Sequence, residues 1–288
     1  MRKRSPKVVA CMPAWNAASF IGPVLESLRA QTYSNLEVLI SVDLCGDGTA
    51  ELCETYAESH SNISVLRQEK RLGWIGNSNA LIRRAEGDYF FFAFHDDPLK
   101  PTYVSKLVAA LECNPNAVLA FCDMVSDRGI EKYCELEGIT DRIERARTLL
   151  KAVGPWWVPH RGLFRADTAK SLIGLRLHWG GESGADWPWL MSLALQGEFV
   201  RVPEPLLFKN RRPEGLNAMF IKSSSFWKRL CVRLACLREI RGVQLPFSIS
   251  MQLHLAGLLR FSQEEWWFLQ RRLLASTTLS AWKGYPRS

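Results

Sequence analysis

Paired cysteines, clustered histidines and long apolar runs are all missing from this 288-residue chain. The eight cysteines, at 11, 45, 53, 113, 122, 134, 231 and 236, are scattered, with no Cys-x-x-Cys pair and no histidine cluster nearby. That pattern excludes a zinc site or a disulfide framework and suits a reducing cytosol. His60, His178 and His254 are isolated, so no metal role is expected for them. No internal repeat and no low-complexity linker breaks the chain. Met1 to Lys7 is basic, but it leads into a short apolar strand that meets Pro13. Neither a signal peptide nor a membrane span is expected there. Acidic residues are scarce in one part only: residues 206–288 hold 14 Lys/Arg against 4 Asp/Glu, residues 1–205 hold 23 against 25. The net charge of +8 is therefore a property of the C-terminal part.

What is present is ordinary for a folded chain, 47% hydrophobic and 23% charged, long enough for one large domain or a domain with an appendage. Residues 7–123 repeat one rhythm of apolar run, polar loop and helical pattern. Val8 to Met12 reads as a strand, and Ile21, Val24, Leu25 and Leu28 then mark one helix face. Leu36 to Val42 is the second strand, followed by Asp47-Gly48-Thr49 and a helix to about His60. Ile63 to Leu66 is a third strand. Ser78, Leu81, Ile82 and Ala85 face inward on the next helix, which Gly87-Asp88 closes. A helix through Val104, Leu107, Val108 and Leu111 and a strand from Val118 to Cys122 complete the series. Alternating strands and helices predict an α/β fold with a mostly parallel central sheet and right-handed crossovers.

The stretch Tyr89-Phe90-Phe91-Phe92-Ala93-Phe94-His95-Asp96-Asp97 stands out, an unalternating apolar run that ends in adjacent carboxylates. Such a run predicts a strand covered on both faces. Carboxylates at its C-terminal end would emerge in the crevice where open α/β sheets bind ligands. Two readings stay open for Asp96 and Asp97. They hold a divalent cation that carries phosphate oxygens, or Asp-Asp-Pro is a solvated turn.

Beyond Asp123 the pattern loosens. Residues 126–148 are charged, and Trp156 to Gly162, with Arg161, reads as a ligand-facing segment rather than a core element. Gly180 to Gly184 is glycine-rich and feeds a helix carrying Trp187, Leu190, Met191 and Ala194 on one face. Asp186 stands at its start, where a capping role is the plain reading. From about Phe226 an apolar stripe of Trp227, Leu230, Cys231, Leu234 and Leu237 is predicted, with Lys228, Arg229, Arg233, Arg238 and Arg241 mostly off it. Two further helical patterns cover 249–261 and 263–282. Basic amphipathic helices with tryptophan suit an anionic membrane surface, packing on their own domain, or a homodimer interface.

Read together, these pieces resemble the family 2 glycosyltransferases, inverting enzymes with the GT-A fold and nucleotide-sugar donors. The resemblance spans roughly residues 7–213, with 216–288 as a basic helical extension. Val8 to Asn16 is similar to the family's opening strand and turn, which implies a nucleoside pocket lined by Pro13, Ala14, Trp15 and Asn16. Asp43, with Asp47-Gly48-Thr49 after it, resembles the base-reading motif. Gly73, Asn77 and Asn79 resemble the loop and helix that precede the metal motif. His95-Asp96-Asp97 stands in the place of Asp-x-Asp; Phe94 replaces its first Asp and leaves Asp96 and Asp97 as the implied ligands for Mg²⁺ or Mn²⁺. Ala185-Asp186-Trp187, followed by Val202 to Leu206, resembles the catalytic-base helix and the strand after it. Asp186 is thus the implied base, Glu182 the weaker alternative, and Arg161 and Arg212 implied phosphate or acceptor contacts. A UDP-sugar donor and a glycan or lipid-linked acceptor follow from the resemblance alone, with a cytoplasmic place that extends to the inner face of the membrane.

Three rivals are weighed against this. A nucleotidyltransferase needs a glycine-rich basic loop after the first strand, and Pro13-Ala14-Trp15-Asn16 is not one. A degenerate domain acting through its basic C-terminal helices is the second. Nucleic-acid binding is the third, and no nucleic-acid motif accompanies the basic charge.

Overall fold

The computed structural model describes residues 4–151, 155, 157–172, 174–182, 184–210 and 225–282. Its frame is an eight-stranded mixed sheet. Strands β1 (Val8–Ala14), β2 (Leu36–Val42), β3 (Ile63–Arg67) and β4 (Tyr89–Phe92) run parallel in the order β3-β2-β1-β4. The crossovers are helices α1 (Gly22–Arg29), α2 (Thr49–Glu58) and α3 (Gly73–Arg84). Every residue of β1 and β4 is buried, as their unalternating apolar runs require. The chain leaves β1 toward β2 on one side and returns to β4 on the other. The β1/β4 boundary is therefore the switch point where open sheets hold ligands, outside the carboxyl ends of the strands.

After α4 (Tyr103–Cys113) the sheet turns mixed. Strand β5 (Ala117–Ser126) pairs antiparallel with β6 (Gly129–Glu131), and β7 (Leu163–Arg165) lies antiparallel between β4 and β5. The last strand, β8 (Glu198–Phe208), runs parallel to β5 with register shifts around Cys122–Met124. Helices α5 (Arg142–Lys151), α6 (Ala166–Ser171) and α7 (Asp186–Gln196) cover this half. The end of β8 clamps the turn after Asp97: Lys100 N–H donates to Leu206 O (2.8 Å) and Phe208 N–H to Pro98 O (2.9 Å). That clamp brings the residue after β8 back over the Asp96-Asp97 turn.

One expectation fails in this half. Residues 158–161 are a core element and not an open segment: Val158, Pro159, His160 and Arg161 are buried, in a 3-10 turn (Pro159–Arg161) that feeds β7, and Arg161 reaches Asp97 at the end of β4. Gly162 is what permits this, since a Cβ there would lie 2.4 Å from Ala120 O. Trp156 falls outside the described residues.

The C-terminal helices α8 (Phe226–Arg241) and α9 (Phe247–Trp282) pack on α7 and α5, and Cys236, Leu237, Ile240 and Leu253 join the main core. The buried face of α8 is not the expected stripe. Trp227 is 70% exposed and Leu234 lies at the surface, whereas Val232, Arg233, Cys236, Leu237 and Ile240 are buried. Arg233 explains the rotation: its guanidinium sits 4.5 Å above the Trp187 ring and donates to Leu150 O, partners worth more than an open lysine-like position in water. On α9 the exposed face carries Phe247, Met251, Leu255, Leu258, Leu259 and Trp266. Among the described residues no helix is long and apolar enough to cross a membrane.

Candidate active site

Three strand ends build the crevice, and the carboxylates at two of them are held differently. After β1, Pro13 and Ala14 are buried, Trp15 is half-buried, and Asn16 adopts φ +47° in an exposed turn. Asp47 and Thr49 fix that turn from the next loop, since Ala17 N–H donates to Thr49 Oγ1 (2.8 Å) and Ala18 N–H to Asp47 Oδ2 (3.0 Å). The Asp-x-Thr signal therefore tethers the first loop.

Asp43, after β2, is 1% exposed and fully subscribed. Oδ1 accepts from the backbone N–H of Leu44 (3.1 Å) and Leu72 (2.7 Å); Oδ2 accepts from Gly73 N–H and Arg71 Nη1 (both 2.9 Å). A carboxylate has about four acceptor positions, and four donors fill them. Asp43 therefore presents no open oxygen for the expected base-reading contact. Arg71, which sequence reasoning missed, lies with its guanidinium 3.6 Å above the Trp15 ring, a cation on an aromatic face beside Asp43. Its only signal was the Glu69-Lys70-Arg71 charge run ahead of Gly73.

The start of α3 is tied down twice. Asp43 takes Leu72 and Gly73 N–H, and Glu182, arriving from the segment before α7, accepts from Ile75 N–H (3.4 Å). Glu182 is thereby a helix-end contact and not positioned as a base. Gly73 is required by both φ (+72°) and space, because a Cβ would lie 2.4 Å from Glu182 Oε1. Gly73→Ala is expected to destabilise by about 1–2 kcal/mol from the left-handed backbone alone, read as a lowered melting temperature. Asn77 and Asn79 are taken up by hydrogen bonds to backbone. Asn77 Nδ2 donates to Ser41 O (2.9 Å) under β2, and Asn79 exchanges two hydrogen bonds with the Leu175 backbone (2.7 and 2.9 Å). Both stitch segments together, which their place in the motif did not reveal.

At the end of β4 the two carboxylates part company. Asp97 is 1% exposed and is held by Lys209 Nζ (2.9 and 3.1 Å), Arg161 Nε (3.0 Å) and Asn210 N–H (3.2 Å). With two buried cations on it, Asp97 does not fit the expected role of metal ligand. Asp96 does: its side chain is 22% exposed, and Lys209 Nζ stands 3.9 Å away. Among the described residues no three His, Cys, Asp or Glu side chains converge on one point. A cation here would need substrate oxygens beside Asp96, which is the habit of Mg²⁺. His95 is occupied with Pro13 O (2.7 Å from Nδ1) and ties β1's exit to this turn. Lys209 was also missed, since nothing marks a lone lysine after a strand.

Asp186 opens α7 one residue inside the cap position, which Ala185 holds. Its carboxylate accepts from the backbone N–H groups of Asp186 and Trp187, so it serves the helix start from inside the first turn and not from the cap position itself. Burial pushes the Asp186 carboxyl up to about 6, with the positive charge of Arg161 acting the other way. Arg161 so links Asp186 electrostatically to the Asp97 cluster, and its guanidinium also lies 4.8 Å from the Phe94 ring. Beside it His160 is packed against Phe92 (5.3 Å), Phe94 (5.6 Å) and Trp189 (5.7 Å). Burial, then the Arg161 charge, lowers its pKa to about 3, so the ring is neutral at physiological pH. Arg212 lies outside the described residues.

A switch-point crevice carrying a cation on an aromatic face, one open carboxylate, two buried cations and a raised aspartate thus lies on an α/β fold of GT-A type. Residues 9–160 match the model of glycosyl transferase family 2, and the chain belongs to that family. An uncharacterized glycosyltransferase of Haemophilus influenzae is 29% identical over 135 residues, 46% of this chain and 41% of that protein. The putative glycosyltransferase EpsH of Bacillus subtilis is 31% identical over 105 residues, 36% of this chain and 30% of EpsH. The matched stretch thus spans well under half the length of these relatives. Staphylococcus aureus TarS, solved with UDP-GlcNAc, superposes with a TM-score of 0.69 at 19% identity, over 88% of this chain and 72% of TarS 1-349. The mannosyltransferase PcManGT of Pyrobaculum calidifontis, solved with GDP-Man and Mn²⁺, gives 0.57 at 15% identity over 98% and 89%. At these identities the likeness is one of fold.

Proposed function

We propose that the protein is an inverting, metal-dependent glycosyltransferase that moves a sugar from a nucleotide-sugar donor, in the first instance a UDP-sugar, to an acceptor hydroxyl of a cell-surface glycan or its lipid-linked precursor. The observation that carries this reading is Asp186: a carboxyl at the start of α7, poised near pH 6, and coupled through Arg161 to the cluster at the end of β4. Ionised above that pH, Asp186 takes the proton of the acceptor hydroxyl as the oxygen attacks the anomeric carbon from the side opposite the diphosphate. Single displacement inverts the configuration.

Trp15 and Arg71 receive the nucleoside. Lys209 and Arg161 lend positive potential where the diphosphate leaves, and Asp97 holds both in place. Mg²⁺ or Mn²⁺, bound by Asp96 and diphosphate oxygens, would supply neutralisation of the leaving group. Because the chain offers the cation little on its own, Mn²⁺ alone is expected to leave the melting temperature nearly unchanged. UDP with Mn²⁺ is expected to raise it by mass action, about 2.7 kcal/mol at a hundredfold excess over Kd, and Asp96→Asn to remove the Mn²⁺-dependent part. Thermal unfolding with UDP, GDP, dTDP and CDP, alongside hydrolysis of the matching sugar nucleotides, tests the reading. No stabilisation and no hydrolysis with any of them would sink it.

A further inference from the structure

We propose that Trp179 is a stacking platform for a saccharide acceptor, an inference that rests on the glycosyltransferase reading above and names the chemical class of its second substrate. Trp179 is 90% exposed, more than any other large apolar side chain among the described residues. Isolated exposed hydrophobes are common on proteins and need no function; what sets this one apart is its mount. His178 and Gly181 close a tight turn around it, with Gly181 N–H donating to His178 O (2.8 Å) and Gly180 N–H to His178 Nδ1 (3.0 Å). Gly181 takes φ +85°, and Gly180 is packed so closely that an added Cβ would meet the His178 ring at 2.9 Å and Cys231 of α8 at 3.1 Å.

The next residues pin the turn on both sides. Glu182 reaches the start of α3 (3.4 Å to Ile75 N), and a Cβ on Gly184 would sit 3.2 Å from Val232 of α8. The turn is thus held against two helices while it presents the indole to water. The position is also specific. Asp186 follows seven residues later, and Glu182, between them, touches the same helix start that Asp43 caps from the donor side. The indole therefore projects from the segment that joins the donor crevice to the base.

The chemistry of a pyranose matches such a surface. One face of the ring is a patch of C–H groups that packs on a π-face, while the hydroxyls stay hydrated or reach a base. A rigid aromatic with two side-chain torsions loses little freedom on binding, so the contact contributes most of its packing energy to affinity.

The test uses the full chain labelled with ¹⁵N at tryptophan indoles, with Trp179 assigned by Trp179→Phe. In the presence of UDP and Mn²⁺, methyl β-glucoside, methyl β-galactoside and methyl β-N-acetylglucosaminide are added at millimolar concentration. The expected result is a shift of the Trp179 indole resonance with at least one glycoside. With that glycoside as acceptor, Trp179→Ala is expected to raise its KM about tenfold, the size of one aromatic contact. Its kcat, UDP affinity and donor hydrolysis should stay unchanged, and Trp179→Phe should keep the KM within about threefold. A Trp179 resonance that ignores all three glycosides while UDP binds, or that responds only to anionic vesicles, overturns the platform and leaves the transferase reading intact. A UDP-sugar that neither binds nor is hydrolysed overturns both.

Discussion

Asp186→Asn is expected to stop sugar transfer and stabilise the fold. Losing a positioned general base costs about 10²–10⁴ in rate, read as kcat with the UDP affinity unchanged, since Asp186 lies outside the nucleoside and diphosphate contacts. The intact chain should show kcat/KM rising with pH to a plateau above about 6, where burial has placed the carboxyl. The stability effect has the opposite sign. The folded pKa lies above the ordinary 3.8, so ionisation opposes folding: nothing is lost below about pH 4, where both states are protonated, and the full cost applies above about pH 6. A shift of this size is at most about 3 kcal/mol, and the partial exposure of the residue reduces it. The amide variant should melt a few degrees higher at pH 7.5 and no higher at pH 4. Equal melting temperatures at both values, with transfer intact, would place the base elsewhere.

That aspartate was legible in the sequence only through the order of its neighbours, as were the strand ends that surround it. Elements with one strong periodicity came through directly. The Phe90 to Phe92 run could only be a covered strand, and the i, i+3, i+4, i+7 spacing of Ile21 to Leu28 placed α1 correctly. Short elements fixed by distant partners did not. Strand β7 is three residues long and exists because β4 and β5 leave a slot between them. The turn at His160 and Arg161 reads as polar and aromatic, yet it is buried because Asp97 accepts the guanidinium and Phe92 and Phe94 cover the imidazole. The same limit governs the site. A motif names which carboxylates gather at a strand end, but only the fold assigns their partners. Asp43 became a helix-start cap and Asn79 a stitch to Leu175 because backbone groups far along the chain reached them first. Arg71 and Lys209 carried no motif and were invisible until the crevice was assembled.

The pair at the end of β4 gives the sharpest contrast, because adjacent aspartates are expected to fail in different ways. Asp97→Ala removes the partner of Lys209 and Arg161, whose side chains are 8% and 10% exposed. Deleting one member of a buried ion cluster leaves uncompensated charge and costs about 3–5 kcal/mol, which for a chain of this length lowers the melting temperature by about 10 °C. The loss should appear with or without nucleotide and metal. Asp96→Ala removes a carboxylate with water on one side and a single cation 3.9 Å away, so its stability should stay within about 0.5 kcal/mol of the intact chain. Its defect belongs to the ternary state: UDP should no longer stabilise more strongly with Mn²⁺ than without it, and transfer should fall with it. The arrangement has a reason in the chemistry. On the proposed reading, a carboxylate shared by two cations keeps both aimed at the place where diphosphate charge would develop, and it spares the neighbouring carboxylate to meet a metal brought with the substrate. An Asp97→Ala chain that melts normally and loses only the Mn²⁺ response would reverse the two roles.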